Sequence, residues 1–211
     1  MVWAVGSAVL LAAYLLGAIT TGYIVAKMLQ GIDIREHGSG NTGATNVFRV
    51  VGKGAGFTVL AIDLLKGLLA VLLAKGILAA LGTAMGPETV SWWVTGAGLL
   101  AIVGHSRSIW LNWTGGKSAA TGLGVLLALY WPVGVGTAAV FGVMLAVFRI
   151  VSLGSIAAAI AAAVLMVVLQ QPLAYGLLAI AGSLYVILRH RANIQRLLAG
   201  TEPRFGQRPS N

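Results

Sequence analysis

The 211 residues contain no cysteine, which excludes disulfides, thiolate metal sites and thiol nucleophiles. Charge is nearly as scarce. Asp, Glu, Lys and Arg make up 9% of the chain, against about 25% in soluble domains. The acidic residues are Asp33, Glu36, Asp63, Glu88 and Glu202, too scattered to form the carboxylate cluster that a Mg²⁺ site needs. No histidine is followed five residues later by aspartate, because Thr42, Trp110 and Gln195 stand there. A His-x-x-x-x-Asp catalytic pair is therefore missing, and no metal or cofactor is expected. Any group transfer here must start from an activated donor. No polar stretch is long enough to bury a soluble core of its own.

What the chain has is apolar surface: 58% hydrophobic residues and a mean hydropathy of +0.92. That composition marks an all-α integral membrane protein, because helices satisfy their own backbone groups in lipid. A spanning helix takes about 20 apolar residues. On that ruler the chain divides into seven spans near 4–29, 55–82, 90–112, 117–131, 132–149, 152–169 and 172–189, forming one domain over 1–211. The later boundaries rest on Trp131-Pro132, on Arg149 to Ser155, and on Gln170-Gln171-Pro172. The last four spans are short, which favours a bundle with recessed ends. The first charged side chain, Lys27, follows the first apolar run. A signal peptide carries its positive charge before that run, so the first span is read as retained. With the N-terminus outside and the C-terminus cytoplasmic, one face receives 12 of the 14 basic residues, as the positive-inside rule requires. The formal charge of +9 suits anionic lipid or an anionic substrate. Nothing points to nucleic acid, and a monomer is expected. Asp63 and Lys66 lie inside the second span, where they can neutralise each other while Lys66 snorkels towards the cytoplasmic side. The tail from Ile194 is short and basic, and Pro203 and Pro209 oppose a long final helix.

The polar clusters all fall on that one face. The first is HGSGNTGATNVFRVVG, from His37 to Gly52. Gly38, Gly40 and Gly43 allow backbone angles that a Cβ forbids, and Ala44 to Val51 can form two helical turns. Ser39, Asn41, Thr42, Thr45 and Asn46 add neutral hydrogen-bonding groups, and Arg49 adds a fork that matches phosphate oxygens. The same pattern also fits an ordinary surface turn. In the second cluster, Thr114 to Thr121, Lys117 follows two glycines at a helix start. It is a phosphate contact or a lysine anchoring its helix at the interface. This is no P-loop, since Leu111 stands where that motif needs glycine. The third cluster is Arg149 with Ser152 and Ser155, whose serines either contact substrate or cap the next helix. In the fourth, Arg189 to Arg196, His190 and Asn193 share a helix face, within what also reads as a basic stop-transfer end.

SGNTGATNVFR at 39–49, GGKSAAT at 115–121, VSLGS at 151–155 and HRANIQRL at 190–197, with Asp63, Lys66 and Gly67, resemble the bacterial PlsY family. The family often has Pro, Phe and Gly where this chain has Ser108, Trp113 and Ser118. The resemblance spans the whole chain. It implies a multi-pass inner-membrane acyltransferase of phospholipid biosynthesis that uses acyl phosphate and glycerol 3-phosphate. The products would be lysophosphatidic acid and phosphate, without CoA, carrier protein or metal. Carried over by position, Ser39, Asn41, Arg49, Lys117, Ser155, His190 and Asn193 form the implied binding site. Ser39, His190 and Asn193 are the implied catalytic residues. His190 would be a base or a substrate contact. From the residues alone, a transporter of organic phosphates and a lipid-binding structural protein stay open. A transporter would place its phosphate contacts near the midplane between repeated halves.

Overall fold

The computed structural model describes residues 2–80 and 85–206. The end of the second expected span at 81–82, together with Arg208 and Pro209, lies outside the described residues. Among the described residues there are ten α-helices: α1 Val2–Gly17, α2 Thr21–Gln30, α3 Ala44–Val50, α4 Lys53–Ala80, α5 Pro87–Ser106, α6 Ala119–Leu129, α7 Trp131–Phe148, α8 Val151–Val168, α9 Leu173–Arg189 and α10 Arg191–Leu198. Among the described residues, four stretches are long and apolar enough to cross a membrane: Trp3–Gln30, Lys53–Ala80, Trp131–Phe148 and Val151–Val168. A fifth is α9 with α10, if that pair, bent by 60°, counts as one. The chain is a multi-pass membrane protein.

The bundle is organised around α4, which packs against α1, α3, α5 and α6. Its small side chains face inward while Leu65, Leu69, Leu72 and Leu73 face outward and are exposed. Lipid tails are as apolar as leucine, so small residues at the interfaces are what let such helices approach. The contact with α6 shows this directly. A Cβ at Gly67 would overlap the Thr121 carbonyl, and one at Gly124 would overlap the Leu64 carbonyl.

The first expected span, 4–29, is broken between Gly17 and Thr21. The freed carbonyls are met by distant side chains: Ser108 Oγ donates to Ala18 O at 2.7 Å and Lys66 Nζ to Ile19 O at 2.8 Å. An unmet backbone group in hydrocarbon costs several kcal/mol, so these two bonds decide that the break is tolerated. Lys66 therefore does not snorkel. It is 3% exposed and also pairs with Asp63 Oδ1 at 2.8 Å. The short α6 is handled in the same way. Its 11 residues rise only about 16 Å, and Lys75 Nζ caps its far end by donating to Ala128 O and Leu129 O at 2.6 and 2.9 Å.

Candidate functional site

The first polar loop is shaped by Asn46, a residue of α3 that is 2% exposed. Its Oδ1 accepts the Ser39 N–H at 2.9 Å, and its Nδ2 faces the carbonyls of Asn41, His37 and Ile34 at 2.9, 3.0 and 3.4 Å. Gly38 sits at φ +60, where a Cβ would also overlap Asn46 Oδ1. Gly43, at φ −79, needs no such freedom. Its N–H donates to Asn41 Oδ1 at 2.8 Å, closing a turn. With the loop held from inside, half-buried Arg49 is left without a hydrogen-bond or ion-pair partner among the described residues.

The second loop, ahead of α6, is held from three sides. Gly116 N–H donates to His105 O at 3.1 Å, and a Cβ at Gly116 would overlap the His105 Nε2. His105 Nδ1 lies 3.5 Å from Asp63 Oδ1, so a buried Asp63–Lys66–His105 group supports the glycines from beneath. Arg189 Nη2 donates to the carbonyls of Gly115 and Gly116 at 3.2 and 3.1 Å, and Asn41 Nδ2 to Gly115 O at 3.5 Å. Ser118 takes φ +64 and donates through Oγ to Ile102 O at 2.8 Å. That left-handed angle is one that glycine adopts without strain and serine rarely takes.

These supports deliver Lys117 to the far wall, where its Nζ donates to Asn193 Oδ1. Asn193 Nδ2 donates to Glu202 Oε1 at 2.6 Å, as does Ser152 Oγ at 2.6 Å, while Arg196 Nε pairs with Glu202 Oε2 at 2.7 Å. Glu202 arrives because the chain after α10 turns back over the cavity. Phe205 lies 4.7 Å from the Phe48 ring and its N–H donates to Arg149 O at 2.5 Å. Burial raises the Glu202 pKa, but the bonds from Ser152, Asn193 and Arg196 outweigh it and hold the carboxylate ionised. Lys117 lies outside the helices, and burial lowers its pKa to about 8 against the pull of Glu202.

His190 sits at the bend between α9 and α10, not on a single helix with Asn193. Its Nδ1 is 2.7 Å from Val186 O. A carbonyl only accepts, so Nδ1 carries the proton and Nε2 carries the lone pair. Burial lowers its pKa to about 4, with the Val186 bond opposing. Ser155 Oγ donates to Val151 O within its own helix at 2.9 Å.

Ser39, Asn41, Arg49, Lys117, Ser155, His190 and Asn193 all line one cavity of about 780 Å³, together with Asp63, His105, Arg196 and Glu202. Two acidic residues, Asp63 and Glu202, also reach the cavity wall. Neither is free: Asp63 is occupied by Lys66 and His105, and Glu202 by Ser152, Asn193 and Arg196. Glu202 was legible only as an acid beside Pro203, with nothing in the local pattern to show that the chain returns. Asn46 was legible only as a polar member of its loop.

The arrangement joins Arg49 and Lys117, a neutral imidazole and several amide and hydroxyl groups above an apolar recess. That is the equipment for holding phosphate while a neighbouring acyl group reacts. Comparison with known proteins gives the same direction. A family model described as glycerol-3-phosphate acyltransferase matches residues 7–200. A glycerol-3-phosphate acyltransferase of Trichormus variabilis is 59% identical over 208 residues, covering 95% of this chain and 92% of that protein. One from Rhizobium johnstonii is 55% identical over 214 residues, covering 97% and 98%. The crystal structure of PlsY, an integral membrane glycerol 3-phosphate acyltransferase, in its glycerol 3-phosphate form superposes with a TM-score of 0.86 at 38% identity, covering 95% and 96% of the two chains. Its lysophosphatidic acid form gives 0.84 at 38% identity, covering 95% of each chain. The chain belongs to the glycerol-3-phosphate acyltransferase family.

Proposed function

We propose that this protein transfers a fatty acyl group from acyl phosphate to the sn-1 hydroxyl of glycerol 3-phosphate, releasing lysophosphatidic acid and inorganic phosphate. The observation that carries the reading is the single cavity in which Arg49 and Lys117, from separate segments, face an apolar recess. Both substrates are phosphates, and family relatives are named for glycerol 3-phosphate. The acyl phosphate is a mixed anhydride, so no CoA or metal is needed to activate it. The hydroxyl oxygen attacks the carbonyl carbon, the carbonyl–phosphate C–O bond breaks, and phosphate leaves with the electron pair.

In this reading Arg49 and Lys117 clamp phosphate oxygens, while Ser39, Asn41 and Asn193 orient the substrates. Ser155 borders the reacting groups. His190 Nε2 accepts a hydrogen bond from the attacking hydroxyl. Because the His190 pKa is lowered to about 4, it is a poor final proton acceptor beside a phosphate oxygen whose pKa is about 6. Bound Glu202 is likewise held ionised. The hydroxyl proton therefore ends on a substrate phosphate oxygen.

The topology belongs to the same proposal: seven crossings in the bacterial inner membrane, with the site at the cytoplasmic face. The 20 residues of α5 rise about 30 Å, enough for a sixth crossing. Short α6 makes the seventh, its end capped by Lys75. Action as a monomer belongs to the same proposal. The test uses purified protein with acyl phosphate and glycerol 3-phosphate, without CoA or added metal. Lysophosphatidic acid and phosphate in equal amounts are expected. No product, or uptake of phosphate ester into vesicles without product, contradicts the reading.

A further inference from the structure

The cavity has a second part that the phosphate chemistry does not use. On α8 it is lined at Ser152, Ser155, Ala158 and Ala162, one helix face at three- and four-residue steps. On α9 it is lined at Leu178, Ala179, Gly182, Val186 and His190. Ala158, Ala162, Leu178 and Ala179 are all buried, as is Ile102 on α5. Ser183 Oγ donates to Ala159 O at 2.5 Å, tying α8 to α9 along this wall. A mostly apolar arm thus descends from the polar site into the bundle. Met166, one turn beyond Ala162 on α8, is fully buried and is not part of the cavity lining, so the arm ends there. Leu178 is about 18 Å from His190 along α9, at 1.5 Å per residue.

We propose that this blind arm measures the acyl chain of the donor, with Ala162 on α8 and Gly182 on α9 setting how far the chain descends and Met166 forming the stop. The inference rests on the acyl-phosphate reading above. A closed apolar arm rewards each methylene that enters it with about 0.8 kcal/mol, roughly fourfold in binding, and rewards none that finds no room. Gly182 is a natural place to shorten the arm. A Cβ there meets only Ile102 Cδ1, at 3.7 Å, so a larger side chain projects into the arm and not into a neighbouring backbone.

The experiment measures kcat/KM for acyl phosphates from octanoyl to octadecanoyl in the unmodified protein, in Gly182→Leu, in Ala162→Leu and in Met166→Ala. In the unmodified protein kcat/KM rises with chain length and then levels off. Ala162→Leu moves the break to shorter chains and lowers the hexadecanoyl-to-octanoyl ratio at least tenfold. Gly182→Leu, closer to the polar site, moves the break further in the same direction, and Met166→Ala moves it to longer chains. Profiles that keep their shape in all three variants overturn the proposal. So does a uniform loss at every chain length, which is the mark of disturbed packing. No product from the unmodified protein with any acyl phosphate removes the donor assignment itself, and with it the arm's occupant.

Discussion

On one side of the cavity, Asn46 locks the loop from Ser39 to Gly43 and Arg49 has no partner among the described residues. On the other, Lys117, Asn193, Glu202, Ser152 and Arg196 are bonded to one another. The first side meets an anion without breaking any bond of its own. The second must exchange the bond from Lys117 to the Asn193 amide oxygen for one to a substrate phosphate. An exchange of one charge-assisted bond for another yields little net energy, whereas a new bond to an unpaired guanidinium yields more. The open side thus supplies affinity, and the closed side supplies placement, because its groups are already fixed before substrate arrives.

Four changes would break or sharpen that contrast. Lys117→Ala removes the phosphate-facing cation of the closed side and leaves Asn193 Oδ1 unmatched. Steady-state lysophosphatidic acid formation should fall by about 10²–10³ in kcat/KM, as for loss of one transition-state donor. Asn46→Ala undoes the inner lock of the open side. Losing the Ser39 bond and those to three carbonyls should cost roughly 2–4 kcal/mol. It shows as a lower unfolding midpoint in detergent and a raised KM for glycerol 3-phosphate. Glu202→Gln keeps the shape but weakens the tie to Arg196; the expected loss is about tenfold, mostly in kcat, because placement suffers before affinity. An unchanged kcat would show that the closed side does not position the reaction.

The smallest effect is in pH. The Lys117 pKa is lowered to about 8, so its cation is present below that value and is lost above it. kcat/KM for glycerol 3-phosphate, which reports the free enzyme, should therefore decline as pH rises through 8. Lys117→Arg stays charged and should lack that decline, whatever its absolute rate.

Sequence and structure agree where the signal is local. The helix ends near Pro132, Arg149 and Pro172 follow from proline sterics and charge, which act within a residue or two. The seven side chains singled out in sequence share a cavity because each sits in a polar interruption on one face of an otherwise apolar chain. What was not legible depends on partners far along the chain. The break after Gly17 lies in a run with no helix breaker strong enough to predict it. It exists because Lys66 and Ser108 satisfy the carbonyls there. Arg189 reads as a stop-transfer charge, yet it holds the Gly115 and Gly116 carbonyls from more than 70 residues away. Glu202 depends on the tail turning back, fixed by Phe205 against Phe48 and Arg149.

The most direct test of the contrast is Arg49→Ala, read in folded protein as kcat/KM for glycerol 3-phosphate beside Arg49→Lys. The unpaired guanidinium predicts a loss of at least about 100-fold for alanine, with partial recovery by lysine. A correctly folded Arg49→Ala protein with full transferase activity would contradict the account.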